Sequence, residues 1–161
     1  MKFHTTLLLI QFLHLFDSCD MQLEHNLQIS FRMSSMKRHI CLAEDDQDDY
    51  YLFSRILGEI SDSNKLTWFK TGEDLLQYLK TGNELPDIIV LDMNMPKIDG
   101  PTCLRILKKE VYWCHIPVAI LSTGDSPTAI KTAYEDGAHR YFVKPFTIEE
   151  FRKIIQEILL L

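Results

Sequence analysis

Apolar residues along this chain come in short runs that each stop at a polar side chain. Ile40–Ala43 ends at Glu44 and Asp45, Ile88–Leu91 at Asp92, Val118–Leu121 at Ser122, and Tyr141–Val143 at Lys144. Runs of three or four apolar residues between turn formers are the pattern of strands buried on both faces of a parallel sheet. The spacing predicts β1 over 39–43 and then a helix, α1, over 48–59, where Tyr51, Leu52, Ile56 and the Phe53/Leu57 pair fall at helical intervals. A weaker strand, β2, follows over 65–70, carrying Leu66, Trp68 and Phe69. Thr71-Gly72-Glu73-Asp74 resembles a capping box and opens α2, which runs through Leu79. After Gly82 and Pro86 comes β3 over 87–91, and Gly100-Pro101 opens α3 through Lys109, with proline where its missing N–H is harmless. Pro117 starts β4, Ser126-Pro127 starts α4, which Gly137 ends, and 139–143 is β5. Thr147 and Glu150 cap α5, whose Phe151, Ile154, Ile155, Ile158 and Leu159 make one apolar stripe running toward Leu161.

Five strand–helix units in alternation predict an α/β fold: a doubly wound five-stranded parallel sheet, flavodoxin-like, in the order 2-1-3-4-5. In such a sheet the ligand crevice lies at the carboxyl ends of the strands, at the point where the strand order reverses. That order puts β1 beside β3, so Glu44 and Asp45 meet Asp92, while β2 is an edge strand ending on Thr71 and Gly72 with no chemistry expected of it. Repeats, low-complexity tracts and a second domain are all absent from the pattern, and with the last helix reaching Leu161 the expectation is that no output module follows.

The four stops together present three acids, a hydroxyl and an amine. Carboxylates this close repel and raise one another's pKa unless a cation neutralises them, and a hard ion such as Mg²⁺ suits an all-oxygen site. Asp45 and Asp92 are the natural direct ligands, the main-chain carbonyl of Asn94 could add another, and Glu44 would act through water. A carboxylate so placed can attack phosphorus to give an aspartyl-phosphate, with Lys144 and Ser122 as donors to the phosphoryl oxygens. Taken singly, Asp92 could be a turn former before Pro96, Ser122 a capping residue and Lys144 a solvated lysine. Asp46, Asp48 and Asp49 are read as solvated acids at a helix start, favoured there by the macrodipole. The joint placement at four strand ends is what argues for a site.

Composition narrows the partners. The net charge of −6 and the lack of a Lys/Arg cluster argue against binding nucleic acid directly. Cys19, Cys41, Cys103 and Cys114 show no metal-binding spacing, and Cys41 and Cys103 sit inside apolar patterns as reduced buried thiols, which fits the cytosol. Residues 1–35 read differently from the rest. Leu7–Phe16 follows Lys2 like a signal segment but is broken by Gln11 and His14, lacks a small-residue cleavage site and is too short to span a membrane. Asp17 spoils a lipoprotein reading at Cys19, and Met21–Ser35 has no periodic pattern. The expectation is an N-terminal extension or a misassigned start over 1–35, with Met36 the initiator and a single domain over 36–161.

Leu91-Asp92-Met-Asn-Met-Pro96 with Asp99-Gly100 resembles the phosphoacceptor segment of two-component response-regulator receiver domains. Leu42-Ala-Glu44-Asp45-Asp46 is similar to that family's acidic pair, Leu121-Ser122-Thr123 to its switch residue, and Tyr141-Phe-Val-Lys144-Pro145-Phe146 to its Lys-Pro signature, over roughly residues 38–160. The resemblance implies a stand-alone receiver that is not an enzyme beyond its own phosphorylation and dephosphorylation. Asp92 would accept the phosphoryl group from a histidine kinase or histidine phosphotransfer protein. Glu44 and Asp45, with the Asn94 carbonyl, would hold Mg²⁺. Ser122 and Lys144 would contact the phosphoryl group, and Tyr141 would occupy the aromatic switch position, plain packing being its other reading. It further implies a cis Lys144–Pro145 bond and an effector bound on the α4-β5-α5 face; separately, the surface carrying Lys131, Tyr134 and Tyr141 could support a homodimer. Glu in place of the commoner Asp at position 44 is a mild departure. A phosphorelay intermediate that passes the group to a second histidine protein is the alternative. A phosphatase is disfavoured, since Asp92-Met-Asn94 lacks a second acid.

Overall fold

The computed structural model describes residues 37–82 and 84–161. The expected extension over 1–35, with Cys19, lies outside the described residues. Strands β1 (His39–Ala43), β2 (Lys65–Phe69), β3 (Ile88–Asp92), β4 (Val118–Ser122) and β5 (Arg140–Val143) form one parallel sheet in the order β2-β1-β3-β4-β5. They alternate with α1 (Gln47–Ile60), α2 (Gly72–Lys80), α3 (Gly100–Lys109), α4 (Pro127–Glu135) and α5 (Ile148–Leu159). The strand order is the expected one, and element ends move by one or two residues. The most useful shift is in β3, which takes in Asp92 as its last residue.

Successive strand residues point to opposite faces. Cys41, Ala43, Ile89, Leu91 and Ile120 therefore pack one way, against Leu75 and Leu79 of α2, Leu104 and Leu107 of α3 and Ala133 of α4. Ile40, Leu42, Ile88, Val90, Ala119 and Leu121 are equally buried and alternate with these residues along the strands, which turns them toward the opposite face. On that face α1 packs beside α5, and the rings of Phe53 and Phe151 meet edge to face at 6.1 Å. Burial on both faces is why β1, β3 and β4 read as unbroken apolar runs. Cys41 and Cys103 are buried thiols whose pKa burial pushes up to about 12, so both stay protonated.

The helix starts are set by side-chain caps. The Thr71 and Thr147 hydroxyls accept from the Asp74 and Glu150 N–H groups, and Asp99 accepts from the Thr102 N–H at 2.8 Å. After Asp92 the chain turns back so tightly that a Cβ on Gly100 would overlap the Asp92 carbonyl oxygen and the Met93 Cα. The Gly100 N–H donates to the Met93 carbonyl at 3.1 Å, closing the loop that carries Asn94. Only glycine allows that approach, and it fixes the backbone immediately after Asp92.

Candidate functional site

Register places the site. Ala43 pairs with Leu91, Asp92 with Leu121, and Ser122 with Val143, so the carboxyl ends of four adjacent strands are level. Glu44 and Asp92 are buried and Asp45 is exposed, yet one oxygen from each lies within 4.8 Å of the others. Lys144 reaches into this group: its Nζ is 2.7 Å from Glu44 Oε2 and 2.9 Å from Asp92 Oδ1. The other oxygen of Asp92, Oδ2, accepts from the Asn94 N–H at 2.6 Å. Asp92 thus has a cation on one oxygen and a backbone donor on the other.

The Lys144–Pro145 bond is trans, as no peptide bond among the described residues is cis. The resemblance implied a cis bond to aim the amine. The long stem of Lys144 reaches the acids from a trans peptide, with its own N–H held by the Ser122 carbonyl at 2.7 Å.

Ser122 is buried at the end of β4, where its Oγ accepts from the Gly124 N–H at 3.1 Å. The Gly124 carbonyl in turn accepts from the Tyr141 hydroxyl at 2.8 Å. Gly124 therefore joins the hydroxyl at the strand end to the aromatic residue on β5. Tyr141 is half-buried against the core, so its packing reading and its link to the site coexist.

Two residues escaped the sequence reading. Asp49, taken for a solvated acid, has its Oδ2 2.7 Å from Lys144 Nζ. It lies in the first turn of α1, which starts at Gln47, and no spacing along the sequence ties it to Lys144. Asp46 behaves as expected, capping α1 by accepting from the Asp48 and Asp49 N–H groups, and Asp48 is exposed. Trp68 corrects the view that β2 brings no chemistry. Its Nε1–H donates to the Glu44 carbonyl at 2.7 Å, and its ring stacks on Tyr50 at 4.1 Å with the planes 5° apart. An edge strand thereby pins the backbone of the acidic loop.

Electrostatics follow from burial. Desolvation pushes Glu44 up to about 7, against the hydrogen bond and charge of Lys144, with the nearby Asp92 adding to the rise. Burial alone would lower Lys144, but the hydrogen bonds it donates to Asp49, Asp92 and Glu44 outweigh it and hold the ammonium above the usual lysine range. A buried carboxylate still under-compensated beside a full lysine charge fits a site that takes a further cation. The donors are all oxygen, as hard divalent ions prefer.

The family model of the response regulator receiver domain matches residues 40–156. The chain belongs to this family. Among its relatives, the "Probable methanogenesis regulatory protein FilR2" of Methanothrix harundinacea is 29% identical over 123 residues, covering 74% of this chain and 79% of its own. Response regulator Rcp1 of Synechocystis sp. is 27% identical over 130 residues, covering 78% and 88%. Among solved structures, the Mn(2+)-bound form of Rcp1 superposes with a TM-score of 0.69 at 26% identity, covering 75% of this chain and 91% of that one. The phosphorylated cyanobacterial phytochrome response regulator RcpA gives 0.71 at 26% identity, covering 76% and 91%. Receiver domains are signalling domains that work with histidine kinases and effectors. In this receiver domain, no helix among the described residues is long and apolar enough to cross a membrane.

Proposed function

We propose that this receiver domain is a cytoplasmic switch in which Asp92 takes a phosphoryl group from a histidine kinase or histidine phosphotransfer protein. The observation that carries the reading is the buried Asp92 carboxylate, held between Lys144 and the Asn94 N–H beside Glu44 and Asp45. In the transfer an Asp92 oxygen forms the new O–P bond as the N–P bond of the phosphohistidine breaks. The leaving nitrogen keeps the electron pair and takes a proton from solvent. Lys144 and Ser122 donate to the phosphoryl oxygens, where charge gathers in the transition state. Asp45 and Asp92, the Asn94 carbonyl and, through water, Glu44 would hold Mg²⁺, which when bound neutralises phosphoryl-oxygen charge. The Mn²⁺ in Rcp1 and the phosphorylated state of RcpA support both parts of this reading.

Ser122 moving toward the new group would give up the Gly124 N–H and so disturb the Gly124–Tyr141 hydrogen bond. That carries the change to α4, β5 and α5, where Tyr134, Val143, Phe146 and Ile148 stand exposed for an effector or a second copy. Residues 36–161 form the switch, with 1–35 outside it.

Acetyl phosphate with Mg²⁺ should add one phosphoryl group per chain. Borohydride reduction of the acyl phosphate should place it at 92 by peptide mass spectrometry; a label elsewhere sinks the assignment. Assays with purified histidine phosphotransfer proteins separate a terminal switch from a relay, since only a relay passes the group on.

Trp68→Phe keeps a ring for Tyr50 but removes the donor to the Glu44 carbonyl. Loss of one such hydrogen bond, about 1 kcal/mol, should weaken Mg²⁺ binding several-fold. Calorimetric titration reads this directly, and unchanged affinity would show that the acidic loop holds its shape without the indole.

A further inference from the structure

A lysine ammonium has three N–H donors. In Lys144 three carboxylates are close enough to take them: Glu44 and Asp49 at 2.7 Å and Asp92 at 2.9 Å. The three partners are not equivalent. The side chains of Glu44 and Asp92 are 3% and 6% exposed, and that of Asp49 is 39% exposed.

Phosphoryl oxygens on Asp92 would lie beyond its carboxylate by the length of the new ester linkage. The ammonium must move to reach them and cannot keep all its present contacts. Leaving Glu44 would strand a buried carboxylate, which is costly. Leaving Asp49 hands a partly exposed carboxylate back to water, which costs little.

We propose that Asp49 is a positioning residue for phosphoryl transfer: the counter-ion that holds Lys144 in the unphosphorylated protein and is released when Lys144 turns to the phosphoryl group. This deepens the reading of Asp92 as phosphoacceptor and rests on it. Asp49 makes and breaks no bond; its charge acts through Lys144. The residue competes with the phosphoryl group for one ammonium, and so it biases the domain toward the unphosphorylated state. It also ties the first turn of α1 to the state of the site, because the Asp49 N–H is itself held by the Asp46 cap.

Beryllofluoride, a phosphoryl mimic, titrated into the full chain at saturating Mg²⁺ tests this. Asp49→Asn should bind it about fivefold more tightly, the size expected of one partly exposed ion pair. Asp48→Asn removes the same charge one residue away without touching Lys144, and should stay within about twofold of wild type because exposed charges are screened. Asp49→Glu, which keeps the charge, should return most of the way to wild type. In the mimic-free protein, the Lys144 ammonium resonance should exchange faster with water in Asp49→Asn. If Asp49→Asn merely melts earlier and binds the mimic no more tightly than Asp48→Asn, the pair is structural and the proposal is overturned. Wild-type protein that fails to bind beryllofluoride, or binds it equally well as Asp92→Asn, overturns the phosphoacceptor reading and this one with it. Normal wild-type binding with unchanged Asp49→Asn affinity overturns only the role of Asp49.

Discussion

Asp92→Asn is expected to take no phosphoryl group from acetyl phosphate and Mg²⁺, while folding at least as firmly as the wild-type chain. The amide has nearly the carboxylate's shape; its one oxygen can still accept the Asn94 N–H now bound to Oδ2, while its NH2 replaces the oxygen facing Lys144 and gives up that contact. It is no nucleophile toward phosphorus, since its nitrogen lone pair is delocalised and its oxygen is neutral. Stability should hold because the substitution removes one of three clustered carboxylates while Lys144 keeps Glu44 and Asp49. Separating like charges removes a repulsion, and an uncharged group is cheaper to bury. Intact-mass spectrometry reads the label and thermal melting reads the fold. Full labelling of the variant would reject Asp92 as acceptor. A collapsed melting temperature would show instead that the Asp92 charge holds Lys144 in place.

The parts of the site that lie on strand ends were legible because burial on both faces leaves no polar residue inside a strand. The first polar residue after Ile88–Leu91 or Val118–Leu121 must therefore sit at an end. Sheet order then brought Glu44, Asp45, Asp92, Ser122 and Lys144 to one end of the molecule. Asp49 was hidden by a sufficient local explanation. An acid in the first turn of a helix needs no partner, so the macrodipole accounted for it, and its contact with a lysine 95 residues away follows only from where α1 crosses the sheet. Trp68 was hidden for the opposite reason. Its strand is half-exposed and reads weakly, and the indole acts through a backbone carbonyl that no side-chain pattern reports. The peptide bond before Pro145 shows the limit of resemblance, since the lysine reaches its partners from the trans form.

Lys144→Met should cost the metal-free protein about 3–5 kcal/mol near neutral pH, the usual result of removing one partner from a buried charge group. Methionine keeps most of the stem, so little packing is lost, but Glu44 and Asp92 are left buried without their cation. The loss should depend on pH, and its sign follows from Glu44. Burial already lifts that group to about 7 in the presence of Lys144, whose hydrogen bond and charge work to lower it. Without the lysine it rises further. A carboxyl raised on folding holds its proton where the unfolded chain has released it. Its contribution is fully present below the unfolded value and is lost as pH rises through the folded one. The deficit of Lys144→Met should therefore be smaller at about pH 5 than at about pH 8. Mg²⁺ should recover part of it at the higher pH, because a divalent ion can neutralise the same oxygens. Urea unfolding of both proteins at the two pH values, with and without Mg²⁺, measures all three effects. Equal losses at both pH values would mean that Lys144 stabilises the domain through its stem and not through the charge it brings to Glu44 and Asp92.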